Sequence, residues 1–153
     1  MVEELVRRDL RRAGLRVTPQ RLALLHALRA APHGHATAEA LQAAARAAGV
    51  AIPLPTVYAV LGDLVAAGLA REVRGESGPI RFDANVARHH HLACRRCGLL
   101  VDVPCADVDG ADPCLTLADP QGWQVAAAEV TFRGLCPRCQ AQLAQKGDPD
   151  DAD

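Results

Sequence analysis

Aromatic residues and long apolar runs are scarce in this chain of 153 residues. Half of the residues are hydrophobic but only 3% are aromatic, so Leu, Val and Ala must build the core. No apolar run approaches the roughly 18 residues of a membrane span. The pattern of a secretory signal, a cationic stretch followed by an apolar one, is also absent. We therefore expect a cytoplasmic protein that has no contact with a membrane and keeps its thiols reduced.

The charge is divided unevenly along the sequence. Residues 1–88 hold 12 arginines and 8 acidic residues, whereas residues 89–153 hold 5 basic and 10 acidic residues. The basic first part is therefore the one expected to meet a polyanion such as nucleic acid. Segment 147–153, Gly-Asp-Pro-Asp-Asp-Ala-Asp, is expected to be a disordered acidic tail.

Two CxxC pairs, Cys94/Cys97 and Cys136/Cys139, lie 38 residues apart. Each CxxC is a tight turn that directs two sulfurs to one point, and two such turns supply the four thiolates of a structural zinc site. Redox-active CxxC pairs are the alternative. The separation exceeds that of a single zinc ribbon, so the pairs should come from distant elements and hold them together.

Four helices are predicted in the first part of the chain. The first covers residues 2–13, and the second begins after Thr18, an N-cap residue, with a proline at its first position. The third begins after Thr37, again a cap. The fourth follows Pro53, with apolar side chains at helical spacing: Val57, Leu61, Leu64 and Val65.

Two short strands, 69–73 and 80–82, follow these helices and are joined by a turn of hairpin chemistry at 74–79. Helices followed by a hairpin describe a winged helix-turn-helix, whose fourth helix would lie in the major groove of DNA. We assign this domain to residues 1–84. A small helical core that binds no nucleic acid is the alternative.

The remainder is expected to form strands at 99–103 and 124–132, a loop over 105–122 and a helix over 137–145. A domain of this size, 89–146, needs support beyond its own core, and zinc and dimerisation would supply it. The predicted fold is therefore α+β. An N-terminal winged helix-turn-helix precedes a small zinc-stapled α/β dimerisation domain, with a hinge at about 83–88.

Six motifs spread over the chain resemble those of the ferric uptake regulator superfamily: GLRVTPQR (14–21), HATAEAL (35–41), PTVYAVLGDLVAAGL (55–69), RFD (81–83), HHHLACRRCG (89–98) and GLCPRC (134–139). The resemblance implies a homodimeric, metal-dependent transcription factor that binds a palindromic operator in double-stranded DNA. It also implies that the two CxxC pairs hold structural zinc.

The same motif matching implies a regulatory metal site formed by His35, Asp83, His89, His91 and Asp102. Imidazole and carboxylate donors suit Fe(II) or Mn(II) and suit Cu(I) poorly. His90 would point away from its two neighbours if the segment is extended, because successive side chains of a strand alternate between faces.

The last ligand position suggests a branch of the superfamily. It is typically Asp in peroxide sensors and Glu in iron-uptake regulators, and here it is Asp102. The loops also look similar to the branch that represses catalase-peroxidase genes. We therefore expect a repressor in which bound Fe(II) reacts with hydrogen peroxide and oxidises His35 or His89, which releases the DNA. An iron, zinc or manganese uptake repressor is the alternative.

Candidate DNA contacts come from two places. Arg16 and Arg21 flank the start of the second helix, where the helix dipole and backbone N–H groups favour a phosphate. The resemblance assigns Thr56 and Tyr58 to DNA contact, and core packing is the alternative for Tyr58.

Two further cysteines and two other protein classes complete the sequence hypotheses. Cys105 and Cys114 could form a reversible disulfide, bind a further metal or be small buried thiols. The HxE signature of zinc deaminases is absent, so we do not expect an enzyme. A zinc-stapled interaction module that binds no DNA is a further alternative.

Overall fold

The computed structural model describes residues 1–74, 78–104, 119, 121–125, 128 and 130–146. The chain divides into two compact units, Met1–Ala87 and Arg88–Asp153. Cys105, Cys114, the centre of the predicted hairpin turn, most of the loop at 105–122 and the acidic tail lie outside the described residues. Within the described part, no helix is long and apolar enough to cross a membrane.

Four α-helices build most of the first unit: α1 (Val2–Arg12), α2 (Pro19–Arg29), α3 (Ala38–Ala47) and α4 (Leu54–Ala66). All four were predicted, and both predicted N-caps are confirmed. The hydroxyl of Thr18 accepts a hydrogen bond from the Arg21 backbone N–H at 3.2 Å, and Thr37 accepts one from Ala40 at 3.2 Å. Each cap satisfies one of the backbone donors that the first turn of a helix leaves without an intrahelical partner.

The core of the first unit is aliphatic, as the composition requires. Its fully buried leucines come from all four helices, and Phe82 is a buried aromatic residue of the same core. Val57, Leu61 and Leu64 are spaced so that one side of α4 packs into this core. The opposite side of α4 is consequently left at the surface.

A small antiparallel sheet completes the first unit, with strands in the order β1 (His35–Thr37), β3 (Arg81–Asp83) and β2 (Arg71–Val73). Strand β1 was not predicted, because three residues are too few to show an alternating pattern. The prediction that a strand begins at residue 69 was wrong. The Leu69 backbone N–H donates to the Leu64 carbonyl at 2.9 Å, and Gly68 has a positive φ of 71°, so residue 69 belongs to the turn that follows and caps α4.

The second unit contains a sheet in the order β5 (Leu100–Pro104), β4 (His89–Cys94) and β6 (Thr131–Gly134), followed by helix α5 (Pro137–Lys146). Strand β4 pairs antiparallel with β5 and parallel with β6. The strand predicted over 124–132 was too long: the described residues 124, 125, 128 and 130 belong to no strand, and pairing with β4 covers Thr131–Gly134. Its partner residues on β4 are His91–Cys94, and the ladder does not extend past Gly134 because β4 ends at Cys94 and a turn follows. Helices in the first unit and a β-rich second unit confirm the α+β class.

Candidate metal centres and nucleic-acid interface

The four cysteines of the CxxC pairs converge in the second unit. Cys94 ends β4, Cys97 lies in the turn after it, and Cys136 and Cys139 lie at the start of α5. Their sulfurs are all within 4.8 Å of one another, and the Cys97 and Cys136 sulfurs are 3.7 Å apart. Zinc at about 2.3 Å from each of four tetrahedral sulfurs would place those sulfurs about 3.8 Å apart. The cluster therefore has the size of a Zn(Cys)4 site.

The parallel pairing of β4 with β6 brings the two CxxC pairs together across the intervening chain. Cys94 is the register partner of Gly134, and the Arg95 backbone N–H donates to the Gly134 carbonyl at 2.8 Å. Two residues after Gly134 the chain reaches Cys136. This pairing explains how cysteines so far apart in sequence meet at one point.

The pKa values of three of the four thiols are shifted from their ordinary value, and not all in the same direction. Backbone N–H groups, that of Cys136 first, lower the pKa of the Cys94 thiol to about 6, and the Leu99 backbone lowers the pKa of Cys97. Burial and the neighbouring sulfurs raise the pKa of Cys139 to about 12. A thiol must lose its proton to bind a metal, so we expect zinc binding to release a proton from Cys139 at neutral pH. A single point of convergence fits one metal site better than two separate redox pairs.

A second donor set in the second unit consists of His89, His91 and Asp102. The two histidines lie two residues apart on β4, and Asp102 is the register partner of His91 on β5. The Nε2 atoms of His89 and His91 are 3.1 Å apart. The Oδ1 atom of Asp102 lies 3.5 Å from Nε2 of His89 and 3.6 Å from Nε2 of His91. Two buried imidazoles and a carboxylate therefore share one face of the sheet.

His90 belongs to the opposite face, as strand alternation predicted. Its Nδ1 accepts a hydrogen bond from the Val130 backbone N–H at 3.1 Å, and its ring packs edge-on against Phe132. His90 therefore contributes to the packing of β4 against the chain that leads into β6, and its ring is not part of the donor set.

In the first unit, His35 and Asp83 form a buried pair. They are register partners on β1 and β3, and Nε2 of His35 lies 3.7 Å from Oδ2 of Asp83. Asp83 has no exposed surface, and His35 is 5% exposed. Oδ1 of Asp83 accepts a hydrogen bond from the Asn85 backbone N–H at 2.6 Å, and an imidazole and a carboxylate that lie together are suitable ligands for a divalent cation.

Helix α4 presents Thr56 and Tyr58 at the surface of the first unit. Tyr58 is 46% exposed, so the core-packing alternative for this residue is wrong. Its hydroxyl donates to Oε1 of Glu39, in the first turn of α3, at 3.1 Å, and this bond raises the pKa of Tyr58. The contact fixes the direction of the Tyr58 ring relative to α3.

The two arginines proposed for phosphate contact differ in their surroundings. Arg16 is exposed in the turn before α2. Arg21 donates to Oδ2 of Asp63 on α4 at 2.6 Å and to the Arg16 carbonyl at 2.9 Å. Arg21 therefore links α2, its preceding turn and α4.

Sequence reasoning did not find the partners Glu39 and Asp63. The pairs Arg21–Asp63 and Tyr58–Glu39 join residues 42 and 19 positions apart. No local pattern specifies such contacts, since they depend on how the helices pack.

Comparison with known proteins establishes the family. The model of the "Ferric uptake regulator family" matches residues 12–133. The chain is 41% identical to the transcriptional regulator FurA of Mycobacterium tuberculosis over 142 residues, 92% of this chain and 94% of that protein. It is 29% identical over 134 residues to the peroxide-responsive repressor PerR of Staphylococcus epidermidis, covering 88% of this chain and 87% of that one.

A solved structure shows the same fold. The ferric uptake regulator of Pseudomonas aeruginosa with manganese superposes with a TM-score of 0.69 at 28% identity, over 86% of this chain and 98% of that one. The described chain thus shares fold and sequence with regulators of gene expression. It belongs to the ferric uptake regulator family, and it is a transcriptional regulator, not an enzyme.

Proposed function

We propose that this chain is a homodimeric, metal-dependent repressor that binds a palindromic operator in double-stranded DNA. Each subunit would carry a structural zinc and a regulatory Fe(II) or Mn(II). The observation that carries this proposal is the presence of two chemically distinct donor sets. One is all sulfur, and the other is a set of buried imidazoles and carboxylates, in keeping with separate structural and regulatory metals.

The four cysteines would hold the zinc. Four thiolates leave no open coordination position, so this zinc would stabilise the fold and would not activate a substrate or water. It would join the end of β4 to the start of α5. A unit of about 65 residues has a small core, and a structural metal is a common support at that size.

Replacing Cys97 with Ser should release the zinc and unfold the second unit. Structural zinc contributes about 10–16 kcal/mol of apparent binding free energy in small zinc-finger peptides, more than a unit of this size can lose. Zinc content by atomic absorption and the unfolding transition by circular dichroism measure the effect. Arg138→Ser changes the same CxxC turn but keeps all four sulfurs, and it should retain the zinc. Full zinc content in Cys97→Ser would contradict the four-cysteine site.

The proposed regulatory ligands come from both units: His35 and Asp83 from the first, and His89, His91 and Asp102 from the second. The two carboxylates would neutralise a divalent ion. Five residues, 84–88, separate Asp83 from His89 and span at most about 20 Å between the two when extended. The connection is thus short enough for one ion to be shared. Residues of both units ligating the same ion would make the angle between the units depend on the metal.

That angle would control DNA binding in a twofold dimer. Helix α4 would enter the major groove, with Thr56 and Tyr58 facing the bases, while Arg16 and Arg21 contact the phosphates. The α4 helices of the two subunits fit the two half-sites of the operator only when the distance between the helices matches the spacing of the half-sites. A coupling of about 1–3 kcal/mol between metal and DNA would change DNA affinity by roughly 5–150-fold.

Replacing His35 with Ala should abolish this coupling and preserve the zinc. His35 is a proposed ligand from the DNA-binding unit, so its loss should weaken the link between the ion and that unit. We expect the variant to bind a duplex, selected from a random pool with the Mn(II) form, no more tightly with Mn(II) than without it. Fluorescence anisotropy measures both affinities. His26→Ala removes an exposed histidine from α2 and should keep the wild-type response. A wild-type response in His35→Ala would contradict the proposed switch.

Two candidate signals for the repressor remain, and different observations favour them. The higher identity to FurA than to PerR favours the alternative hypothesis, an uptake repressor of iron, zinc or manganese, for which the level of the metal, here taken as iron, is the signal. Asp102 favours the second, peroxide sensing, because Asp at this position is typical of the peroxide branch and its carboxylate lies beside both imidazoles. In that case, hydrogen peroxide would be the two-electron oxidant: it would give one oxygen atom to a ligating histidine, His35 or His89, and leave as water, and bound Fe(II) would supply the activation of the peroxide.

Micromolar hydrogen peroxide should separate the two signals. If iron level is the signal, both the Fe(II) and the Mn(II) forms should keep their DNA affinity. Peroxide sensing instead requires that only the Fe(II) form lose it, with a gain of about 16 Da, one oxygen atom, on a peptide containing His35 or His89. Mass spectrometry and anisotropy give both readings.

Asp102→Glu keeps charge and donor type, and under peroxide sensing it should slow the oxidation. Equal oxidation in that variant would remove Asp102 as support for the peroxide branch.

A further inference from the structure

The segment that follows β3 is held by a chain of hydrogen bonds that begins at Asp83. Oδ1 of Asp83 accepts from the Asn85 backbone N–H at 2.6 Å. Oδ1 of Asn85 in turn accepts from the Ala87 backbone N–H at 3.2 Å. These are two successive turns in which a side chain takes the place of a backbone acceptor. They fix the course of residues 83–87 from the carboxylate onward.

A third contact ties the same segment back to the sheet. The Arg71 guanidinium, on β2, donates from Nη2 to the Val86 carbonyl at 2.7 Å. Arg71 is also the register partner of Asp83 across the β2–β3 pair. The segment is therefore held at Asn85 by the carboxylate and at Val86 by the strand next to it.

The two oxygens of the Asp83 carboxylate face different partners. Oδ2 lies 3.7 Å from Nε2 of His35, the other proposed ligand of the first unit, while Oδ1 holds the Asn85 N–H. Asp83 is completely buried, so its carboxylate cannot turn without disturbing one of these groups. A change on the His35 side is thus passed to the backbone at Asn85.

We propose that Asn85 and Arg71 are positioning residues that convert ligation by Asp83 into a fixed course of residues 84–87. They set how strongly metal binding tightens DNA binding, and they have little influence on how tightly the metal itself binds. The inference rests on the proposed role of Asp83 as a regulatory ligand. Neither residue contributes a ligand atom.

Two pairs of variants test this role in the zinc-loaded full chain. Asn85→Ala removes the acceptor for Ala87, whereas Asn85→Ser keeps an acceptor oxygen without adding charge. Arg71→Met removes the donor to Val86, whereas Arg71→Lys keeps one donor. Each variant is measured for its affinity for Mn(II) alone and for its affinity for a duplex selected with the Mn(II) wild type, with and without Mn(II).

We expect Asn85→Ala and Arg71→Met to reduce the Mn(II)-dependent gain in DNA affinity by about 2–12-fold, the equivalent of one net hydrogen bond. Their affinity for Mn(II) alone should stay within about twofold of wild type. Asn85→Ser and Arg71→Lys should recover most of the gain, which a general loss of stability would not allow.

Three results would overturn the inference. The first is a full gain in both Asn85→Ala and Arg71→Met, and the second is an Mn(II) affinity that falls by the same factor as the gain. The third is the absence of any Mn(II)-dependent gain in the wild type. Only this last result also overturns the proposed function, so the two failures are distinguishable.

Discussion

The alternation of side chains along β4 is the constraint on which both candidate metal centres depend. It places His89 and His91 on one face and turns His90 to the other, where Val130 and Phe132 contact it. Pairing on one side of β4 brings Asp102 to the two imidazoles. Pairing with β6 on the other side of β4 places Gly134, two residues before Cys136, next to Cys94. A slip of the β4 register by one residue would dismantle both donor sets at once, because every side chain would change faces.

The two donor sets differ in how their residues are distributed between the two units. The sulfur set lies wholly within the second unit and closes around a point, as suits a permanent structural ion. The imidazole and carboxylate donors are divided between two compact units, with His35 and Asp83 in the first. Under the proposed function, an ion that needed donors from both units would bind well only in some arrangements of the units, and it would thus have a differential affinity for two states. Such a difference is the physical requirement for a regulatory ligand.

The sequence predicted those features that depend on local chemistry. Caps at Thr18 and Thr37 and the spacing of the CxxC pairs are readable because the signal lies within a few residues. Strand β1 and the true extent of β6 were not predictable, since a short strand exists only where a partner pairs with it. The Arg21–Asp63 pair was missed for a similar reason, because it depends on helix packing. The Asp83–Asn85 turn did leave a local signal, an acid and an amide two residues apart, but it was not predicted.

Reciprocal binding of metal and DNA tests the central claim most directly. If metal and operator act on one equilibrium, each must tighten the other by the same factor. The affinity of the zinc-loaded wild type for Mn(II) should be measured with and without a saturating duplex selected with the Mn(II) form. We predict that the duplex tightens Mn(II) binding by roughly 5–150-fold, equal to the factor by which Mn(II) tightens DNA binding. The same Mn(II) affinity with and without the duplex would contradict the account.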